Sequence, residues 1–246
     1  IGPSLAGIII AVWSEGICFL VNGLSYIAIL ASLFAMRVTE EDRRHERKSV
    51  LEEMKEGFRY VAEMPALKNI LLLAGSVSLF GWSYTILLPI FAKDILGGGP
   101  LIFGLLNSAT AVGAVIGAFY AASRQDLLGL ERRAVFFGVI FSIAIILFAF
   151  SNIIWLSLLF IAFAGLGAML HNTSANSFVQ SIISENQRGR VMSIYALSHQ
   201  GLMPIGSLVL GWVASIYGAP IALLSGGIFC LVSVAFFAPR IFRSKL

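Results

Sequence analysis

Five stretches of the sequence contain no Asp, Glu, Lys or Arg, and they limit the fold more than any other feature. They cover residues 16–36, 69–92, 95–123, 134–184 and 191–239. A helix needs ~20 apolar residues to cross the ~30 Å hydrocarbon layer of a bilayer, so each stretch can span one. Only 12% of the residues are charged, against roughly 25% in a typical soluble domain. These features exclude a soluble globular enzyme, and the high hydrophobicity excludes a disordered chain.

The last two stretches are each too long for one span and are predicted to contain a turn. Ser151-Asn152 divides the fourth and Gly218-Ala219-Pro220 divides the fifth, while residues 1–14 add a shorter apolar segment. We predict an all-α, polytopic membrane protein with seven complete spans and one that is truncated at its start. The predicted spans cover 1–14, 16–36, 69–92, 101–123, 134–150, 153–181, 191–217 and 219–239. Two of them, 134–150 and 219–239, are apolar nearly all round and are predicted to face lipid.

The basic residues fall almost entirely on one side of these spans. The segments 37–68 and 124–133, the pair Arg188 and Arg190, and the C-terminal tail all lie there, and only Lys93 lies on the other side. The positive-inside rule makes the basic side cytoplasmic. We therefore predict a cytoplasmic C-terminus.

The long loop 37–68 contains a helix signal of its own. Ser49 and Glu52 have the spacing of a capping box, and Met54 and Phe58 follow at helical spacing. This pattern predicts a short amphipathic helix on the cytoplasmic face. We interpret the segment as a connector between two helix bundles.

Matching residues 204 positions apart indicate an internal repeat. The pairs are Ile1 and Ile205, Gly2 and Gly206, Gly7 and Gly211, Leu20 and Leu224, Gly23 and Gly227, and Ala31 and Ala235. Parallel repeats of six helices are a transporter architecture. The repeat predicts that 1–36 holds the last two helices of a first bundle, that 37–68 is a cytoplasmic linker, and that 69–246 is a complete six-helix bundle with its tail.

Four segments resemble motifs of the major facilitator superfamily, in the branch of enterobactin exporters and macrolide-efflux proteins. They occur in the order and at the spacing found in that branch. The segments are Gly2-Pro3-Ser4-Leu5-Ala6-Gly7, Glu56-Gly57-Phe58-Arg59-Tyr60-Val61 with Pro65-Ala66-Leu67, Leu88-Pro89-Ile90-Phe91-Ala92-Lys93-Asp94-Ile95-Leu96-Gly97 and Arg188-Gly189-Arg190-Val191-Met192-Ser193. One motif departs from the family pattern, since Ala121 stands where the resemblance leads us to expect Asp after Gly117.

The resemblance implies a twelve-helix secondary transporter of the bacterial inner membrane, of which this chain is a C-terminal fragment. It implies alternating access and proton-driven efflux of an amphipathic small molecule, such as a drug or a siderophore. The expected partners are that substrate, protons, the lipid bilayer and the missing N-terminal bundle, without a cofactor, a metal or nucleic acid. Gly2, Pro3 and Gly7 resemble the end of the antiporter motif, which implies that they seal or hinge the two bundles, and an ordinary helix bend is the alternative interpretation.

Polar side chains within the spans are candidates for a substrate cavity, because in lipid they must face protein or water. Two interpretations remain open for them: a cavity wall, or hydrogen bonds that hold helices together. The candidates are Trp82, Tyr84, Asn107, Asn172, Asn176, Gln180 and His199.

Two histidines are candidate proton sites. His171 and His199 are the only side chains within the predicted spans that titrate near physiological pH. A hydrogen-bonded structural role is the alternative interpretation for both.

An intramembrane enzyme and a seven-helix receptor are the alternative functions. The sequence contains neither the Gly-x-Ser-Gly of a rhomboid-like protease nor the His-Glu-x-x-His of a metalloprotease. We therefore predict no catalytic residues and no enzymatic activity. A seven-helix receptor would place its two ends on opposite sides, which conflicts with the distribution of arginines.

Overall fold

Helices make up nearly all of the ordered structure in the computed structural model, which describes residues 15–36, 50–124 and 128–243. Within these ranges we number them α1 to α8, treating helices that run on without a break as one. They are α1 (Glu15–Ala35), α2 (Val50–Glu63), α3 (Pro65–Ile95), α4 (Gly99–Ser123), α5 (Leu130–Ala149), α6 (Ile154–Ile182), α7 (Glu185–Tyr217) and α8 (Ala219–Arg243). Six of them, α3 to α8, are long and apolar enough to cross a membrane. The predicted all-α, polytopic fold is confirmed, while the predicted span 1–14 lies outside the described residues.

The observed helices extend beyond the uncharged stretches by a few residues. Helix α3 begins at Pro65 and includes Lys68, and α7 begins at Glu185 and includes Arg188 and Arg190. A charged residue at a helix end can reach the membrane interface, so a helix does not need to stop where the apolar run stops. The uncharged run therefore marks the part of each helix suited to lipid and not its full length.

Contacts divide the chain into two units between Arg47 and Lys48. In the first unit, α1 satisfies some of its polar side chains by itself. The Ser25 hydroxyl donates to the Asn22 carbonyl at 2.7 Å, and the Ser32 hydroxyl donates to the Ala28 carbonyl at 2.8 Å. Such local bonds let a hydroxyl remain in an apolar helix without a partner from another helix.

In the second unit, α4 and α5 both pack closely along α6 through glycines. A Cβ at Gly113 would collide with the Ala162 carbonyl, and one at Gly165 would collide with the Thr110 carbonyl. On the α5 side, a Cβ at Gly167 would lie 2.7 Å from the backbone nitrogen of Phe141. Small residues at these positions allow backbones to touch, which is how helices associate in a membrane.

Helix α5 is buried on one side and exposed on the other, where Phe136, Ile143 and Leu147 are between 43% and 60% exposed, so the prediction that it faces lipid is wrong for its buried side and stays a prediction for the exposed one. Phe141 and Phe148 are fully buried, and the Phe148 ring stacks on Phe91 of α3 with centroids 4.8 Å apart. An apolar surface all round is as suitable for burial among other helices as for contact with lipid. The sequence of α5 contains no polar face that would have distinguished the two environments.

Helix α8 shows the mixed pattern of a helix at the edge of the bundle. Ala222, Cys230 and Val234 are buried against its neighbours, while Val232 and Phe236 are more than half exposed. The Cys230 thiol lies 3.8 Å from the Val77 carbonyl of α3. Its role is packing, as expected for a cysteine in an apolar run.

The amphipathic helix predicted in the loop 37–68 is present as α2, and it packs on α7. Gly57 lies against the side chains of Ile194 and Arg190. The Arg190 guanidinium donates to the Glu56 carboxylate at 2.8 Å. Met54 and Phe58 are 45% and 47% exposed, so the apolar face that was predicted is only partly used for packing. Ser49, the first residue of the predicted capping box, lies outside the described residues.

Candidate substrate cavity

Two irregular turns interrupt α3 and α7 where these helices meet. Helix α3 passes through a 3-10 turn at Trp82–Leu87, and α7 contains a π turn at Leu197–Gly201. The Ser78 hydroxyl donates to the carbonyl of His199, inside the π turn. Irregular turns free backbone groups from the regular helix ladder, and they occur often at functional sites of membrane transporters.

Serines and a glycine hold the two helices together at and beside these turns. The Ser83 hydroxyl lies 3.2 Å from the Met203 carbonyl, and the Ser207 hydroxyl lies 3.3 Å from Ser83 Oγ. Gly206 faces the Leu79 carbonyl with no room for a Cβ. The junction is therefore polar and tightly packed.

Aromatic rings extend from this junction toward α6. The His199 ring lies 5.9 Å from Trp82 in an edge-to-face arrangement and 6.0 Å from Tyr195 in a stacked one. The Tyr195 hydroxyl donates to Asn172 Oδ1 of α6 at 2.6 Å. Trp82, His199, Tyr195 and Asn172 thus form a connected row across α3, α7 and α6, which we call the aromatic row.

A cavity of about 200 Å³ lies between α3, α4 and α6, beside the aromatic row. Four predicted cavity residues line it: Trp82, Tyr84, Asn107 and Asn172. The remaining lining residues are Thr110, Ala111, Ala114, Gly165, Ala168 and Met169. The lining combines an indole, a phenol and two amides with small apolar side chains, which suits a ligand with apolar and polar parts.

The polar side chains of this lining are already oriented by hydrogen bonds. The Asn107 amide donates to the Phe103 carbonyl at 2.9 Å, and the Thr110 hydroxyl donates to the Leu106 carbonyl at 3.0 Å. Tyr84 is buried and lines the cavity together with Thr110. The side-chain carbonyl oxygen of Asn107 is left to accept a hydrogen bond from a ligand, and the side-chain amide nitrogen of Asn172 is left to donate one.

Asn176 and Gln180, which follow Asn172 along α6 at spacings of four residues, do not line this cavity. The Gln180 amide donates to Asn176 Oδ1, and the Arg188 guanidinium donates to Gln180 Oε1 at 2.7 Å. These contacts connect the end of α6 to the start of α7. These three predicted residues therefore differ in the structure: Asn172 lines the cavity, Asn176 bonds to Gln180 within α6, and Gln180 joins α6 to α7.

The two histidines occupy separate environments. His171 is buried, and its Nδ1 lies 2.7 Å from the Ala134 carbonyl of α5, so Nδ1 carries the hydrogen and Nε2 is left as an acceptor. Within the described part of the chain, Nε2 has no hydrogen-bond partner. His199 instead belongs to the aromatic row and is partly exposed.

Some lining residues were not singled out in the sequence analysis. Gly165, Ala168 and Met169 precede Asn172 by seven, four and three residues, which places them on its face of α6. Helical spacing from Asn172 was the signal that could have found them.

The predicted motif residues Gly2, Pro3 and Gly7 lie outside the described residues. In the ranges the structure describes, no cluster of side chains is suited to hold a metal ion.

Comparison with known proteins identifies the class to which this helix arrangement belongs. A family model of the major facilitator type, described as a transmembrane secretion effector, matches residues 1–244. The chain therefore belongs to the major facilitator family of transporters. This membership favours a transporter over the alternatives of a receptor and an intramembrane enzyme.

Individual relatives agree with the family. The chain is 26% identical over 250 residues to the Staphyloferrin A transporter of Staphylococcus aureus, covering 100% of this chain and 62% of the relative. It is 25% identical over 253 residues to the MFS-type transporter YfmI of Bacillus subtilis, with the same coverage of both chains. YfkF of Bacillus subtilis, also an MFS-type transporter, is 27% identical over 159 residues, covering 64% of this chain and 38% of the relative. The chain thus spans less than two thirds of the length of these relatives.

Proposed function

We propose that this chain is part of a secondary-active transporter that exports an amphipathic small molecule by alternating access. In this proposal, 1–36 contributes the last two helices of a first bundle, 37–68 is the linker, and 69–246 is the second bundle. The length of the relatives supports this division, because the chain covers 62% of the first two. The basic loops support a bacterial inner-membrane location with a cytoplasmic C-terminus.

The observation that carries the proposal is the cavity lined by Trp82, Tyr84, Asn107 and Asn172 beside two irregular turns. A polar cavity inside a membrane bundle is costly unless it serves a ligand or water. The irregular turns of α3 and α7 are points where a helix can bend, which alternating access requires. Cavity and bending points therefore lie at the same place.

The chemistry of the cavity favours a siderophore-like or drug-like substrate. Trp82 offers an apolar face that can also attract a cation, and Asn107 and Asn172 offer both donors and acceptors. A molecule with a ring or chain and several carbonyl or hydroxyl groups fits this lining. The relative that transports staphyloferrin A makes a siderophore the first candidate, with an amphipathic drug as the second.

We further propose that His199 couples transport to protons. Its imidazole lies between the rings of Trp82 and Tyr195, so a change of its charge acts directly on the aromatic row. A protonated imidazole strengthens contact with an indole face. His171 is the second candidate, because its Nε2 is an acceptor without a partner in the described structure.

Transport by the full-length protein in inverted membrane vesicles tests this proposal. Vesicles whose interior has been made acidic are expected to accumulate an iron-free siderophore. A protonophore should abolish this accumulation.

The variant His199→Gln should still bind substrate, but its gradient-driven transport rate should fall at least 10-fold. Glutamine keeps hydrogen bonds but cannot titrate. Vesicles without the protein are the control. Equal accumulation with and without the protonophore would contradict proton coupling, and no accumulation of any siderophore or drug would contradict export.

A further inference from the structure

A second cavity, of about 150 Å³, lies where α4 ends and α5 begins, against α6. This is the arginine-rich end of the bundle. On α4 the lining of this cavity begins at Tyr120, six residues after Ala114 of the substrate cavity, and on α6 the two linings interleave on different faces of the helix. The residues that matter for its chemistry are Tyr120, Arg124, Arg133, Thr173, Ser174 and Ser177. None of them lines the substrate cavity.

The lining of this cavity suits an anion. Arg124 and Arg133 place two guanidinium groups at its wall, and the Arg124 guanidinium lies over the Tyr120 ring at 5.5 Å from its centroid. The hydroxyls of Ser174 and Ser177 provide further donors. Guanidinium groups bind phosphate oxygens with two parallel hydrogen bonds, so a phosphate is the anion that this set recognises best.

The start of α5 adds to the positive potential. Leu130, the first residue of α5, also lines the cavity, and Gly129 before it adopts a left-handed conformation with φ of 71°. Gly129 caps the helix without a side-chain hydrogen bond. The N-terminus of a helix carries a partial positive charge and unpaired N–H groups, which favour an anion.

An apolar cavity of about 310 Å³ lies further along the same two helices. On α5, Arg133 and Phe137 of the first cavity are followed by Ile140, Ala144 and Leu147 of the second, with spacings of four, three, four and three residues. Such spacing keeps residues on one helix face. The α5 face is therefore cationic at one end and apolar along the rest.

On the facing side, helix α6 changes from partly polar to apolar in the same direction. Ser174 and Leu170 line the first cavity, and Phe163 and Phe160 line the second. Phe163 is 48% exposed, so the apolar part is open at the surface of the bundle. The 14 residue-to-residue steps from Arg133 to Leu147 extend for ~21 Å at ~1.5 Å per residue, more than the ~15 Å depth of one leaflet's hydrocarbon.

We propose that this crevice between α5 and α6 binds an anionic phospholipid. The phosphate lies at Arg124 and Arg133, and an acyl chain lies along Ile140 and Phe163. Basic pockets between membrane helices on the cytoplasmic side are suited to phospholipid head groups. A soluble phosphate would use the arginines alone and would leave the apolar part of the crevice without a ligand. This inference does not depend on the transport activity proposed above.

Binding of fluorescent phosphatidylglycerol to the full-length protein in phosphatidylcholine nanodiscs tests the proposal. The double variant Arg124→Gln/Arg133→Gln is expected to bind at least 10-fold more weakly than the unchanged protein. Arg132→Gln is the matched control, because Arg132 lies beside Arg133 but does not line the cavity. Equal binding by the double variant and the unchanged protein would overturn the proposal.

Two further measurements separate a lipid from a soluble anion and from a folding defect. A 100-fold excess of inorganic phosphate or of glycerophosphoglycerol is expected to leave the fluorescent lipid bound, and displacement by either would overturn the assignment to a lipid. Ser177→Leu keeps both arginines but fills the cavity, and it should also weaken binding at least 10-fold. If the arginine variant does not fold, undiminished binding by Ser177→Leu would overturn the proposal.

Discussion

Replacing Gly113 with leucine is expected to prevent α4 from packing on α6 and to abolish the folded six-helix unit. A Cβ at Gly113 already collides with the backbone carbonyl of Ala162. Overpacking that side chains can absorb costs about 1–3 kcal/mol, and two backbones cannot move apart without loss of the whole helix interface. We therefore expect Gly113→Leu to exceed that range.

The fraction of full-length protein that remains monodisperse after extraction from the membrane measures this effect. Gly104→Leu is the matched control on the same helix, because a Cβ at Gly104 meets nothing within 4 Å. The control is expected to behave like the unchanged protein. Equal loss of monodisperse protein in both variants would show that close contact at Gly113 is not what makes the position sensitive.

Replacing Trp82 with alanine is expected to lower substrate transport about 30-fold. Trp82 lines the cavity and supports the ring of His199, so its loss removes a wall and loosens the aromatic row. Truncation of a central aromatic contact in a binding site typically costs about 2 kcal/mol or more, and each 1.4 kcal/mol corresponds to a factor of ten in affinity. Phenylalanine at this position should restore much of the activity.

Initial rates of export by Trp82→Ala and by Trp212→Ala, at equal amounts of protein in the membrane, provide the comparison. Trp212 lies on α7 with 64% of its surface exposed and does not line the cavity. Transport by Trp212→Ala is expected to stay within twofold of the unchanged protein. A similar loss in the two variants would argue against a specific role for Trp82.

Uncharged stretches together with turn signals predicted the six helices after residue 64 that are long enough to span a membrane, whereas the predicted span 16–36 forms a helix whose apolar part, Phe19–Ala35, is shorter than a full span. Each stretch from residue 69 onward corresponds to one or two observed spans, and the turn at Ser151-Asn152 lies between α5 and α6. The energetic reason is strong, since a charge at the centre of a bilayer costs several kcal/mol.

The irregular turns could not be predicted from the sequence. The π turn Leu197–Gly201 forms where a backbone carbonyl of α7 accepts from Ser78 of α3. Ser78 and His199, whose carbonyl accepts this bond, are 121 positions apart in the sequence, so no local sequence pattern contains the contact. The same is true of the burial of α5, because its apolar sequence fits both lipid and protein surroundings.

The candidate cavity was predicted in part. Trp82, Tyr84, Asn107 and Asn172 were selected because polar and aromatic side chains are costly to place in lipid, and the structure brings them to one cavity. The same rule also selected Gln180, which instead joins α6 to α7. A side chain that faces a ligand and one that faces a neighbouring helix satisfy the same requirement, so the sequence alone does not separate them.

The central claim is that the cavity beside the aromatic row takes up substrate and opens to the aqueous phase. A single cysteine in place of Ala111, which lines the cavity, tests it in the full-length protein without its other cysteines. A membrane-impermeant thiol reagent should label this cysteine. Saturating substrate should reduce the rate of labelling at least fivefold, whereas substrate should not slow the labelling of a cysteine placed at Gly104. Labelling at Ala111→Cys that is unaffected by every transported substrate would contradict the account.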